Sequence, residues 1–222
     1  MADTATLRLL TWLSPAFPTG AFAYSHGIEW AVQAGDVTGR DTLLDWIETL
    51  LRHGAGRTDA ILLRHAHRAA HDVDALADLT ELALATAPTL ERRAEAIHQG
   101  NAFIAAAASW QPTTLQALAA RLGDVPYAIA VGAMTGAHGI SEDNATASLL
   151  HAFAANLISA AVRIIPLGQS TGLAVLAALE PAILALTTDT GSATLDDLGT
   201  ACFRADLAAM HHETQYTRLF RS

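Results

Sequence analysis

Residues 144–162 read Asn144-Ala145-Thr146-Ala147-Ser148-Leu149-Leu150-His151-Ala152-Phe153-Ala154-Ala155-Asn156-Leu157-Ile158-Ser159-Ala160-Ala161-Val162, a stretch without Asp, Glu, Lys or Arg. Leu150, Phe153, Leu157, Ala161 and, just beyond, Ile165 recur at spacings of three or four and share one helix face. A run of this length could cross a bilayer, but Asn144, Ser148, His151, Asn156 and Ser159 interrupt it, and spans are mostly Leu, Ile and Val. It is therefore read as a buried central helix whose weakly polar residues need partners in the core. Ser141 or Asp143 caps its start, and Pro166 and Gly168 interrupt its end.

The surrounding sequence supports an all-α fold. Of 222 residues 48 are alanine, against seven valines and eleven isoleucines, so strong helix formers far outnumber the β-branched residues that strands prefer. Periodicity predicts helices over Ser25–Gly35, Asp41–His53, Thr58–His71, Asp74–Thr86, Thr114–Leu122 and Tyr127–His138, with a long one from a Thr89 cap to about Trp110. After the central helix, Gln169–Leu179 is helical, Pro181 begins another helix at its first turn, and Asp196–Tyr216 is the last, followed by a tail, Thr217–Ser222. No repeat or interdomain linker appears, so residues 1–222 are read as one helical domain.

Charge and residue usage exclude several functions. The net charge is −9 and no basic run exceeds Arg92–Arg93, which argues against a nucleic-acid binder. The acidic balance and the lack of a basic amphipathic face argue against a membrane-surface protein. All 13 basic residues are arginine, so a phosphate-loop lysine and a lysine Schiff base are both unavailable. Cys202 is the single cysteine and sits in an apolar context, which suits inert core. The opening Met-Ala-Asp-Thr has no signal-peptide character, and a reducing cytoplasm is expected.

The search for a catalytic set returns none. His67 and His71 are four apart and share a helix face, whereas His65 points elsewhere; a metal-dependent hydrolase built on this region is the enzymatic alternative to a solvated face beside Arg64, Arg68 and Asp72. His211 and His212 are adjacent, so their rings diverge. The glycines of Val131–Gly139 suit close helix packing or a tight turn better than a phosphate cradle. Glu142-Asp143 and Asp196-Asp197 suit helix starts.

Three segments ask for more than a structural role. Ser14-Pro15-Ala16-Phe17-Pro18-Thr19-Gly20-Ala21-Phe22-Ala23-Tyr24-Ser25-His26-Gly27-Ile28-Glu29 is a stiff, aromatic loop running into a helix. Ser159-Ala160-Ala161-Val162-Arg163-Ile164-Ile165-Pro166-Leu167-Gly168-Gln169 places an arginine before a helix-breaking turn. His212-Glu213-Thr214-Gln215-Tyr216-Thr217-Arg218-Leu219-Phe220-Arg221-Ser222 sets Leu219 and Phe220 between two arginines, which suits an anchor in a groove.

In order and spacing these segments resemble those of the urease accessory protein UreF family, with its SPxxPxGxFxYSxGxE, SAAVRxxPLGQ-like and RLFRS-like stretches. Thr19-Gly20-Ala21 departs from it where many members carry a second glycine. The resemblance implies an all-helical, cytoplasmic, non-enzymatic protein without a cofactor of its own, which assists nickel insertion into urease. It implies binding to a UreD-type partner (UreH in some bacteria), recruitment or regulation of the GTPase UreG, action on the urease apoprotein, and a homodimer. By position, it implies that Phe22, Tyr24, His26 and Glu29 form or support a contact surface. Arg163 and Gln169 would orient the turn after the central helix, and Tyr216, Arg218, Leu219, Phe220 and Arg221 would belong to the tail that docks on the UreD-type partner.

Overall fold

The computed structural model describes residues 3–222, among which the regular elements are all helical. In chain order they are α1 Thr4–Trp12, α2 Ile28–Gln33, α3 Arg40–His53, α4 Ala55–Arg68, α5 Val73–Ala85, α6 Leu90–Ala106, α7 Thr113–Leu122, α8 Tyr127–Ala137, α9 Glu142–Ala161, α10 Gln169–Asp189 and α11 Phe203–His212. Side-chain caps set several starts: Asp72 accepts from Asp74 N and Ala75 N, Thr89 from Arg92 N, and Ser141 from Asn144 N.

Two apolar clusters form the core. One gathers Trp12, Leu63, Leu76, Phe103, Leu115, Leu118, Ile129 and Met134 from α1 and α4–α8. The other gathers Ile28, Leu43, Ile47, Leu51, Leu157, Val175, Leu179 and Cys202 from α2, α3, α9, α10 and the start of α11. Helices α4 and α9 contribute to both and so join the halves. Helix α9 is the central one expected, with Leu150, Ala154, Leu157 and Ala161 buried; His151 and Ser159 lie on its open face. Helix α8 is enclosed more completely, since Ala128 through Thr135 are all buried.

The Val131–Gly139 glycines serve helix packing. A Cβ at Gly132 would overlap the Leu63 carbonyl oxygen and lie 2.8 Å from the Ala66 Cβ. One at Gly136 would overlap the His67 carbonyl oxygen and lie 2.8 Å from the Ala70 Cβ. Backbone-to-backbone contact between α4 and α8 therefore requires a missing side chain at both places.

Arg64, expected on a solvated face, is buried instead. Its guanidinium donates to Glu142 Oε1 (2.5 Å), Asp143 Oδ1 (2.6 Å), the Thr187 carbonyl (2.5 Å) and, through Nε, Thr190 Oγ1 (3.2 Å). It thus ties α4 to the start of α9 and the end of α10. With four acceptors, the cation is compensated where burial alone would be costly.

Several boundaries differ from expectation. Pro181 does not begin a helix but lies inside α10. Proline forfeits one intrahelical bond. Here both Pro181 and Ala177, whose carbonyl loses that partner, face solvent, while Val175, Leu179, Ile183 and Leu186 bury a continuous face. The last helix is shorter than expected at both ends. Leu195–Asp197 is a separate 3-10 turn closed by Thr194 N donating to Asp197 Oδ2 (2.8 Å), and Gly199 at φ 130° breaks the path to α11. Helix α6 also ends earlier than expected, at Ala106, with a 3-10 turn over Ala108–Trp110. Helix α10 is long and apolar enough to cross a membrane by length and composition, yet its Val175–Leu186 face packs into the second cluster.

Gly132→Val should force α4 and α8 apart. Overpacking of this kind costs about 1–3 kcal/mol, and more where backbone must move. A urea titration should show the midpoint falling with little change in slope. An unchanged midpoint would mean that the helices do not depend on this contact.

Candidate partner-docking site

The three segments singled out in the sequence meet at one place. The left-handed residues His26 (φ 54°) and Gly27 (φ 76°) turn the N-terminal loop into α2. A Cβ at Gly27 would stand 2.7 Å from the Ala209 nitrogen, so the loop is pressed against α11. This turn presents Ser25 and Glu29 to the tail. The Ser222 carbonyl oxygen accepts from Ser25 N (2.8 Å) and Ser25 Oγ (2.5 Å), and Arg221 N donates to the Ala23 carbonyl (2.8 Å). Glu29 takes both Leu219 N (2.7 Å) and Phe220 N (2.9 Å).

Helix α6 supplies the other wall. Arg218 donates to Glu91 Oε1 (2.7 Å), and the Ser222 hydroxyl donates to Glu95 Oε2 (2.7 Å). Phe220 is buried, and the Arg163 guanidinium lies 4.5 Å from its ring centroid while donating to the Phe22 carbonyl (2.8 Å). His212, fully buried at the end of α11, places Nδ1 2.6 Å from Glu91 and Nε2 3.3 Å from Glu29.

Glu95 is the buried centre of this wall. Burial by itself would raise its carboxyl; Arg92 and His26, with the Ser222 hydroxyl, outweigh burial and hold it down to about 2. Gln99 Nε2 donates to its other oxygen (2.8 Å). His26 is pushed toward the neutral form, first by burial and then by Arg92, against the opposing pull of Glu95. The His26 Nε2 lies 2.7 Å from Glu95 and 2.8 Å from Arg92 Nη1, and its Nδ1 has no partner among the described residues.

His26, Arg92 and Glu95 also line a cavity of about 820 Å³ together with Leu62, Asp59 and Tyr127. Burial, opposed by Arg92 and aided by Glu95, raises the Asp59 carboxyl to about 6. Burial, and then Asp59, raises the Tyr127 phenol.

Compared with known families, residues 37–180 match the model described as UreF. The chain belongs to the UreF family. It is 52% identical over 224 residues to the urease accessory protein UreF of Rhodopseudomonas palustris (strain TIE-1), covering 99% of this chain and 93% of that one. It is 50% identical over 225 residues to the protein of that name from Azorhizobium caulinodans, covering 100% and 97%. The corresponding Methylorubrum populi protein is 50% identical, covering 97% and 98%. The tail dock lies largely outside the part matched by the UreF family model but inside these full-length alignments.

The residues expected at a UreF partner surface divide by exposure. Phe22, Tyr216, Arg218, Leu219 and Arg221 face solvent. Tyr24, His26 and Phe220 are buried, and Glu29 is nearly so. The Tyr24 hydroxyl meets His98 Nδ1 (3.1 Å), and His26 packs edge-on against Phe153. Gln169, expected to orient its turn, is exposed and its side chain forms no hydrogen bond among the described residues. The tail expected to reach into a partner folds back on its own chain, because its amides and Arg218 find carboxylates there and Phe220 finds an apolar pocket.

His65 and His67 approach the carbonyls of Ala193 (3.2 Å) and Ile140 (2.8 Å), and His71 is exposed. Among the described residues no three His, Cys, Asp or Glu side chains gather as a metal site, so the hydrolase alternative finds no support in the geometry. Cys202 donates to the Thr49 carbonyl (3.2 Å), and burial raises its thiol to about 11.

The sequence reading missed Ser25, Glu91, Arg92, Glu95 and His212 as members of the dock. One signal was available: Glu95, Gln99 and Phe103 recur every fourth residue on the buried face of α6, which sets a carboxylate in line with core residues.

Deleting Thr217–Ser222 should lower thermal stability. Losing a buried Phe and its accompanying bonds is worth roughly 2–4 kcal/mol, or about 5–12 °C in a chain of this size. The Ser222 hydroxyl had no expected role, yet Ser222→Ala removes a donor from buried Glu95 and should cost about 1–2 kcal/mol. Calorimetry of both variants checks this; unchanged melting would mean that the tail contributes nothing to the fold.

Asp59→Asn should stabilise the chain at pH 7. A carboxyl raised in the folded state binds more protons there than in the unfolded state, so stability falls as pH rises from about 4 to about 6 and stays lower above. Asp59 is partly accessible at the cavity wall, which limits the gain to about 1–2 kcal/mol. The gain should vanish at pH 4; a destabilised variant at pH 7 would refute the assignment.

Proposed function

We propose that this UreF family member is a non-enzymatic factor in urease maturation. It acts by presenting a docking surface to a UreD/UreH-type accessory protein and, with it, recruiting a UreG-type GTPase to the urease apoprotein for nickel insertion. Family membership carries the reading, supported by about 50% identity to proteins named urease accessory protein UreF over nearly the whole chain. In this reading the chain works in the cytoplasm and as a homodimer, and nickel is cargo of the assembly.

The surface most suited to the UreD-type partner is the outer side of α11 and the tail. Phe203, Leu207 and Met210 recur at spacings of four and three and are exposed, so α11 shows solvent an apolar stripe. Exposed Tyr216 and Leu219 follow in the chain, and Phe22 stands exposed on the loop that meets the tail. Tyr24, His26, Glu29 and Phe220 would act from beneath, by holding that surface in place, and exposed Arg163 would brace it through the Phe22 carbonyl and the Phe220 ring. Arg218 and Arg221 add charge-assisted bonds at the rim, and Gln169 is free to contact a partner.

Co-purification from cells expressing a complete urease operon tests the reading. Wild-type chain should bring down the UreD-type protein and the GTPase. Leu207→Asp and Leu219→Asp should keep the wild-type melting temperature yet recover at least tenfold less of the UreD-type protein. Undiminished recovery with both variants would place the contact elsewhere. Hydrolysis of GTP or urea by the pure chain, abolished by a point mutation in it, would overturn the non-enzymatic part.

A further inference from the structure

We infer that the cavity between the N-terminal loop and helices α4, α6 and α8 is a binding site for an organic cation, an ammonium or guanidinium group on an apolar body, with Asp59 as its counter-ion. The site backs onto the dock, sharing His26 and Glu95 with it, but does not rest on the proposed function. The cavity measures about 820 Å³, the size of pockets that take small molecules. One side of it is apolar, with Leu13 and Phe17 from the N-terminal segment and Leu62 from α4. Phe17 packs on Phe103 (ring centroids 5.6 Å apart) and Phe103 packs edge-on against Tyr127 (5.7 Å). An aromatic row therefore runs from the loop to the first residue of α8.

Asp59 stands at the polar end. It lies one turn before Leu62 on α4, so both face the same side of that helix and line the cavity together. It is half-buried, yet its carboxyl accepts no hydrogen bond among the described residues. The Tyr127 hydroxyl, on the same wall, also lacks a partner there. Gly100 brings Tyr127 to this place. A Cβ at Gly100 would overlap the Val125 carbonyl oxygen and stand 2.8 Å from Tyr127 N, so α6 presses directly on the start of α8.

Charge decides which ligand fits. Arg92 acts on Asp59, but its Nη1 is committed to Glu95 and faces His26. Glu95 is ionised and His26 is held toward neutral, so Arg92 and Glu95 cancel. The Asp59 carboxylate leaves one net negative charge beside apolar walls, where water solvates it less well than outside. An anionic ligand is repelled, and a neutral apolar one leaves Asp59 unmet. An ammonium or guanidinium group donates charge-assisted bonds to Asp59 and another to the Tyr127 hydroxyl oxygen, while its apolar body covers Leu62 and the Phe17 ring. A metal ion suits the site less, because no three His, Cys, Asp or Glu side chains gather among the described residues.

Isothermal titration calorimetry of the full chain tests this with phenethylammonium as the probe, at pH 8, above the value of about 6 to which burial raises Asp59. Saturable binding with a dissociation constant of about 1 mM or tighter is expected. Asp59→Asn should weaken it at least about tenfold, and Tyr127→Phe about threefold. Phenethyl alcohol and hydrocinnamate keep the ring without the cation, and methylammonium keeps the cation without the ring; each should bind at least about tenfold more weakly. Asp196→Asn, which neutralises an exposed carboxylate elsewhere, should leave the constant within about twofold. The analogues are read on the wild-type chain, so they carry the test if Asp59→Asn fails to fold. No saturable binding, equal affinity for phenethyl alcohol, or a folded Asp59→Asn chain that binds as well as wild type would each overturn the inference.

Discussion

Two carbonyl oxygens of α4, those of Leu63 and His67, occupy the space where side chains of α8 would otherwise stand. Most other features of the core follow from this contact. Because Gly132 and Gly136 let the backbones touch, α8 is enclosed along Ala128–Thr135 and its other sides must be covered, by α6 among others. With α8 on one side of α4, Arg64 extends to other neighbours and binds the start of α9 and the end of α10. A charged residue thereby becomes the joint between the two apolar clusters. Removing its acceptors would leave a buried cation, which is far costlier than losing an exposed pair.

The dock uses electrostatics differently. The chain carries nine more formal negative charges than positive ones, yet three of its carboxylates converge on one short segment. That arrangement is tolerable because donors are already committed to them: Arg92, Gln99, His26 and Ser222 around Glu95, and two backbone amides on Glu29. Buried Glu95 stays ionised because several such donors face it. The same saturation explains why the tail rests on its own chain. Phe220 burial contributes about 2–3 kcal/mol, less than the cost of ordering a segment of this length at about 1 kcal/mol per residue, so bonds to charged acceptors must supply the balance.

How much of this was legible in the sequence depended on range. Local features were readable: α3 was expected over Asp41–His53 and spans Arg40–His53, and the Thr89 cap and the divergence of His211 from His212 follow from spacing alone. Pro181 was misread because its cost depends on what faces solvent a turn earlier, which only the packed structure specifies. Arg64 was misread for a similar reason, as nothing near it in the chain announces acceptors at Glu142, Asp143 and Thr187. The loop, the Arg163 turn and the tail each stood out as unexplained. Their meeting did not, because Ser25 and Ser222 are brought together only by α2, α6 and α11 acting jointly.

Alternation along the tail gives it two faces. Phe220 and Ser222 turn inward and are buried, whereas Leu219 and Arg221 turn outward and are exposed. A segment whose successive side chains point to opposite sides can be held by one set and read by another. The sequence Arg218-Leu219-Phe220-Arg221-Ser222 thus combines a fastening code and a display code in five positions. The expectation that Leu219 and Phe220 would enter a partner together treated them as a pair; the fold separates them, giving Phe220 a pocket at home and leaving Leu219, like Tyr216, exposed. Because the inward set is held by Glu29 and Glu91, and these in turn by His212, the position of the outward set is determined from inside the core.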